Sequence, residues 1–172
     1  MRTFGAVLMF LCSASAPIFA SDRALAANVY FQRGEGGAGL DAWVELGKNN
    51  RLTLAIMGCT KGGNKINASL GLYVDGRAKL SPELEKLRQA EDKAKLEEDN
   101  AQLELDLCMN GACEKHQWKF LSSGFGDAFF TNISLNQNHP PIRSLRVIIP
   151  NERRKYEYRG DVDAILRKVC RR

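Results

Sequence analysis

Apolar and polar residues alternate in short runs along most of the chain. Val29–Gln32, Ala42–Leu46, Leu52–Met57, Ala68–Val74, Gln102–Cys108, Lys115–Leu121, Phe129–Leu135 and Leu145–Ile149 each predict a β-strand, with Gly, Asn or Pro punctuating the intervals. In the third run Leu52, Leu54 and Ile56 point to one side, and Thr53, Ala55 and Met57 to the other. Eight short strands without β-α-β alternation predict a mainly β chain: an antiparallel, jelly-roll-like β-sandwich of one domain over residues 27–172.

Two segments switch to helical spacing. Ser81 and Pro82 supply an N-cap and a first-turn proline, and Glu83 and Glu85 favour the positive end of a helix that follows. Its apolar face is thin, with Leu84, Leu87, Ala90 and Ala94, so a helix on the surface of the sheet is expected. The second helix is terminal. Val162, Ile165, Leu166 and Val169 recur at i, i+3, i+4 and i+7, a stripe that predicts docking on the core, and Asp161 can cap its start.

Asn110-Gly111 is the preferred pair for a two-residue type I′ turn. That turn sets Met109 opposite Ala112 and Cys108 opposite Cys113, at a position where Cα atoms lie about 4.5 Å apart. It also sets Asp106 opposite Lys115 and Glu104 opposite Gln117 on a polar face, leaving Leu103, Leu105, His116, Trp118 and Phe120 on the other. A Cys108–Cys113 bridge follows, and Cys59–Cys170 by elimination. A four-thiolate zinc site is the competing reading, but neither pair has CxxC spacing.

Met1–Ala20 predicts the compartment. Arg2 precedes the apolar run Phe4–Cys12, and small residues lead to cleavage after Ala20 or, alternatively, after Ala26, the pattern of a secretory signal peptide. No later apolar run approaches the ~18 residues of a membrane span. A periplasmic or secreted monomer is therefore expected, in an oxidising compartment that suits disulfides.

Composition adds one point. The 172 residues carry 25 Lys+Arg and 20 Asp+Glu, a net +5, with ordinary hydrophobic content, which excludes disordered, collagenous and multi-span membrane chains. The distribution matters more than the total. Residues 83–106 hold nine acids and four bases, whereas 143–172 hold ten bases and four acids. Arg153, Arg154 and Lys155, with Arg171 and Arg172, form a candidate basic surface for an anionic envelope component or an acidic protein. A nucleic-acid partner is not expected of an exported chain.

Candidate chemistry is sparse. Gly34–Gly39 matches GxGxxG, yet no proper helix follows to receive a pyrophosphate, and a flexible connection is the better reading. His116 lies on an apolar face and His139 in the loop Asn136–Pro141, expected to be exposed, so no Ser-His-Asp or HExxH arrangement can be assembled. Ser122–Gly126 lacks the GxSxG elbow, and Glu97 and Glu98 read as a solvated helix face. Asn67-Ala68-Ser69 and Asn132-Ile133-Ser134 are glycosylation sequons, without meaning in a bacterial periplasm. No catalytic, metal or cofactor residue is assigned.

Leu105-Asp106-Leu107-Cys108, four residues and Cys113, then Tyr158-Arg159-Gly160 and Ala164-Ile165-Leu166, resemble the invasion-associated locus B-like periplasmic proteins of alphaproteobacteria over Leu103–Cys170. The resemblance implies a small exported protein, non-enzymatic, virulence-associated and linked to host-cell interaction. It supplies no site residues, and the acidic helix and Cys170 depart from it. The leading expectation is a non-enzymatic envelope or host-interaction protein that binds an acidic partner. A secreted inhibitor presenting Met109–Ala112 or Asn136–Pro141 is the alternative, and an enzyme acting on glycan or cell-wall material the third.

Overall fold

The computed structural model describes residues 28–34, 39–47, 52–74, 80–97, 101–123 and 126–170. The predicted signal peptide, Arg171 and Arg172, and most of the glycine-rich stretch 34–39 lie outside them. The strands are β1 (Val29–Arg33), β2 (Leu40–Glu45), β3 (Leu52–Gly62), β4 (Lys65–Val74), β5 (Gln102–Met109), β6 (Ala112–Ser123), β7 (Gly126–Asn136), β8 (Ser144–Ile148) and β9 (Tyr156–Arg159). Helix α1 (Pro82–Glu97) joins β4 to β5, and α2 (Val162–Val169) follows β9.

The mainly β, antiparallel character expected from the alternation is present, but the strands do not form the predicted pair of stacked sheets. All nine pair in one sheet, in the order β1-β2-β3-β4-β7-β6-β5-β8-β9. The alternating pattern specifies that each strand has one buried face. It does not specify whether that face meets a second sheet or the far side of its own.

The sheet curls, and geometry requires it. Helix α2 leaves the β9 edge, yet packs on β2 and β3 near the opposite edge. An eight-residue helix is about 12 Å long, whereas six strand spacings from β9 to β3 would span about 29 Å if flat. Two further contacts bring the edges together. Cys170 is bonded to Cys59 of β3, and Lys168 Nζ lies 4.1 Å from the centre of the Phe31 ring on β1. Inside the curl Val44, Leu54, Ile56, Leu70, Leu72, Leu107, Trp118, Phe129 and Ile165 form one core.

The helices close opposite ends. Strand pairing places Leu52, Val74, Gln102, Phe129 and Ile148 toward one end, and Gly62, Lys65, Asn136, Leu145 and Arg159 toward the other. α1 connects two strands at the first end and packs on β4, β6 and β7; α2 begins at the second. Despite its thin stripe α1 is not a mere surface helix, because Leu84, Leu87 and Ala94 are buried in the common core. In α2 the predicted residues Val162, Ile165, Leu166 and Val169 are buried, and the Asp161 carboxylate accepts from Ala164 N at 3.0 Å.

The β5–β6 hairpin has the register that its turn dictates, with Met109 opposite Ala112, Cys108 opposite Cys113, Asp106 opposite Lys115 and Glu104 opposite Gln117. Asn110 and Gly111 have φ of 51° and 85°, the two positive angles of a type I′ turn. The Cys108–Cys113 Cα separation is 3.9 Å, shorter than the 4.5 Å found at Cys59–Cys170.

On the outer face aromatic rings lie across the strands. Tyr73 and Phe130 meet edge to face over Gly71, where any Cβ would come within 2.7 Å of one ring and 2.9 Å of the other. Glycine at this strand position leaves room for both rings.

Candidate functional site

The predicted cations Arg153, Arg154 and Lys155 stand together on the β8–β9 connection, all exposed. This loop faces the N-terminus of α1, and between them lies a cleft of about 570 Å³ lined by Leu80, Ser81, Pro82, Glu83, Asn151, Glu152, Arg153 and Arg154. Asn151 takes φ of 63°, a left-handed turn residue, and Glu152 N donates to Ile149 O at 3.1 Å, so the loop is tightly folded.

Glu152 organises the site. One carboxylate oxygen accepts from Arg154 N at 3.0 Å; the other accepts from Tyr156 Oη at 3.3 Å and from Ser81 Oγ. The same Ser81 Oγ accepts from Leu84 N at 3.2 Å, so the N-cap hydroxyl both closes the first turn of α1 and fastens α1 to the loop. Burial pulls the Glu152 carboxyl upward, but the hydrogen bonds from Ser81, the Arg154 amide and Tyr156, with the Arg154 charge, outweigh it and hold it below the usual glutamate range. Burial pushes the Tyr156 phenol above its ordinary value.

The loop cations are exposed, and only the Arg154 charge acts on Glu152. Both Glu152 oxygens accept hydrogen bonds, and of the two first-turn acids Glu85 pairs with Arg88 while Glu83 lines the cleft. Among the described residues Arg153, Arg154 and Lys155 enter no ion pair. Other bases of the C-terminal region differ. Arg143 and Arg167 lie 2.9 and 3.8 Å from Asp161, Arg159 lies 3.0 Å from Glu157, and Lys168 covers Phe31.

Among the described residues the bases of the C-terminal region therefore fall into two groups. Lys155 immediately precedes β9, whereas Cys170 ends the helix that follows β9, at the opposite end of the sheet. Arg171 and Arg172 lie outside the described residues. The charge total for 143–172 conceals this division, because a sequence count does not show which cations fold back onto acids.

His139 departs from expectation. Its side chain is only 15% exposed and Nε2 lies 3.8 Å from Asp163 Oδ1, because the β7–β8 connection is hydrogen-bonded to the start of α2 through Ile142. Its Nδ1 lies 2.8 Å from Pro140 O. Among the described residues no three His, Cys, Asp or Glu side chains are grouped to hold a metal. The sequons also gain a structural explanation. Asn67 pairs with Ser134 and Ser69 with Asn132 on adjacent strands, and Ser69 Oγ donates to Asn132 Oδ1 at 2.7 Å.

The Ser81–Glu152–Tyr156 latch was not readable from the chain. Ser81 announces itself as a cap, but nothing near Glu152 marks a partner 71 residues away. Comparison of the chain with protein-family models, with curated proteins and with solved structures found no match in any of the three.

Proposed function

We propose that the protein is an exported, non-enzymatic binding protein of the cell envelope or host interface, and that it engages an anionic surface through the β8–β9 loop. The observation that carries this reading is the set of three adjacent, exposed cations, Arg153, Arg154 and Lys155, beside a carboxylate whose oxygens are already occupied. Exposed cations that enter no ion pair attract phosphate or carboxylate groups from solution. Both disulfides fit an oxidising periplasmic or extracellular location. The predicted leader and the resemblance of Leu103–Cys170 to the invasion-associated locus B-like proteins support the same placement.

Sedimentation with lipid vesicles tests the reading. The protein should bind vesicles containing phosphatidylglycerol and not neutral phosphatidylcholine, with affinity that falls as salt rises. Each basic residue near an anionic surface contributes about 1 kcal/mol, so replacing all three cations by Gln should weaken binding by about 100-fold. Equal binding of the triple variant at low salt would contradict the proposal.

A further inference from the structure

The two disulfides sit in very different surroundings. Cys59 and Cys170 are both buried, at 7% and 6% exposure, and tie elements 111 residues apart. Cys108 is also buried, at 2%, but its partner Cys113 is exposed, and only five positions separate them. One bridge is closed to an external nucleophile on both sulfurs. The other has one exposed cysteine.

The neighbours of Cys108 complete the asymmetry. Strand β5 lies between β6 and β8, and Cys108 stands opposite Cys113 on one side and Arg146 on the other. Paired positions place all three side chains on the same outer face. Glu157, opposite Arg146 on β9, is itself bonded to Arg159. The nearest acid along β5 on that face, Asp106, stands opposite Lys115. A thiolate released at Cys108 would therefore form beside a guanidinium, whose charge favours the thiolate against the cost of its burial.

The hairpin does not depend on its bridge for alignment. Eight residue pairs join β5 to β6. The Asn110 side chain at the turn donates to Pro141 O at 2.8 Å and accepts from Arg143 N at 2.7 Å. The two sulfurs would remain facing each other after reduction, ready to re-form the bond.

We propose that Cys108–Cys113 is a thiol-exchange site that accepts small external thiols as covalent ligands, with Cys113 as the attacked sulfur and Cys108 as the leaving group. An external thiolate attacks Cys113 Sγ, and a new S–S bond forms between that sulfur and the incoming one. The Cys113–Cys108 bond breaks, and its electron pair leaves on Cys108 as thiolate beside Arg146. In the reverse step Cys108 attacks Cys113 and expels the external thiolate. Alternatively, a second external thiolate attacks the external sulfur of the mixed disulfide, releasing an external disulfide and a Cys113 thiolate. Two electrons then pass from two thiols to the protein.

The test uses the intact oxidised chain and reduced glutathione, with timed quenching by iodoacetamide and peptide mass mapping. Glutathione should be found on Cys113 and the alkyl group on Cys108, and this bridge should open at least 100-fold faster than Cys59–Cys170. Arg146→Met should slow opening several-fold, and Arg146→Lys, which keeps the charge, should restore most of the rate. Glutathione on Cys108, equal opening of the two bridges, or a Met variant as fast as the parent would each overturn the assignment. If Arg146→Met fails to fold, the glutathione position and the ratio of the two bridges decide the matter in the parent protein alone.

Discussion

The two helices close opposite ends of one curled sheet, and they are held by different means. α2 carries four buried apolar residues in two turns, a carboxylate cap at Asp161 and a disulfide from Cys170 to β3. α1 is twice as long, yet among its described side chains only Leu84, Leu87 and Ala94 are buried, and its start is fastened by hydrogen bonds through Ser81 and Glu152. Arg143 and Arg167 lie close to Asp161 and Lys168 covers Phe31, whereas Arg153, Arg154 and Lys155 near the start of α1 are exposed. The comparison separates scaffold from surface: the α2 end is locked by a disulfide, and the α1 end keeps an open cleft beside exposed cations.

The largest test of this contrast removes the lock. In the entropy model a bridge closing about 110 residues is worth on the order of 4–5 kcal/mol, and one closing six residues about 2 kcal/mol. Denaturant unfolding should therefore show a much greater loss for Cys59→Ala with Cys170→Ala than for Cys108→Ala with Cys113→Ala. Equal losses would remove the distinction between the bridges.

Next come the buried side chains. Ile165 is fully buried in α2 and Leu87 slightly less so in α1. Truncation of buried Leu or Ile to Ala costs about 2–5 kcal/mol. Ile165→Ala is expected in the upper half of that range and Leu87→Ala near its lower limit. The reverse order, measured in the same unfolding assay, would show that α1 is the better-packed helix.

Loss of the cap is smaller. Ser81→Ala should cost about 1 kcal/mol, and amide hydrogen exchange should quicken in α1 while α2 stays protected. Quickening shared equally by both helices would mean that the latch stabilises the whole sheet.

The smallest effect is on pH dependence. The folded Glu152 carboxyl lies below its unfolded value, so its contribution is present above the ordinary glutamate pKa and is lost as pH falls through the folded one. Asp161 acts in the same direction: burial raises it, but the Ala164 amide and the Arg143 and Arg167 charges outweigh that. Asp41, raised by burial against a bond from the Gly58 backbone, acts oppositely, its cost growing as pH rises. Glu152→Gln should flatten the fall in stability between neutral and acid pH; an unchanged slope would show that the carboxylate is not selectively stabilised.

Local features of this molecule were legible in the sequence because local rules govern them. Asn110-Gly111 fixes the turn geometry, and that geometry fixes every pair of the hairpin, the Cys108–Cys113 position included. The spacing of Val162, Ile165, Leu166 and Val169 likewise identifies the docking face of α2. Strand β9 escaped because Tyr156–Arg159 is four residues long and lies in a basic stretch that reads as loop. The extension of β3 to Gly62 is masked by Gly58, which has φ of 54° and sits where the β3–β4 register shifts. The single curled sheet and the Ser81–Glu152 latch depend on contacts between distant segments, on which alternation and capping rules are silent.

Residue-by-residue NMR line broadening on adding phosphatidylglycerol vesicles tests the central claim most directly. Broadening should begin at Asn151–Lys155 and at Leu80–Glu83, around the cleft, and should leave α2 and the hairpin tip sharp until much more lipid is added. Broadening that begins at α2, around Arg167 and Lys168, or that spreads evenly over the sheet, would contradict the assignment of the binding surface to the α1 end.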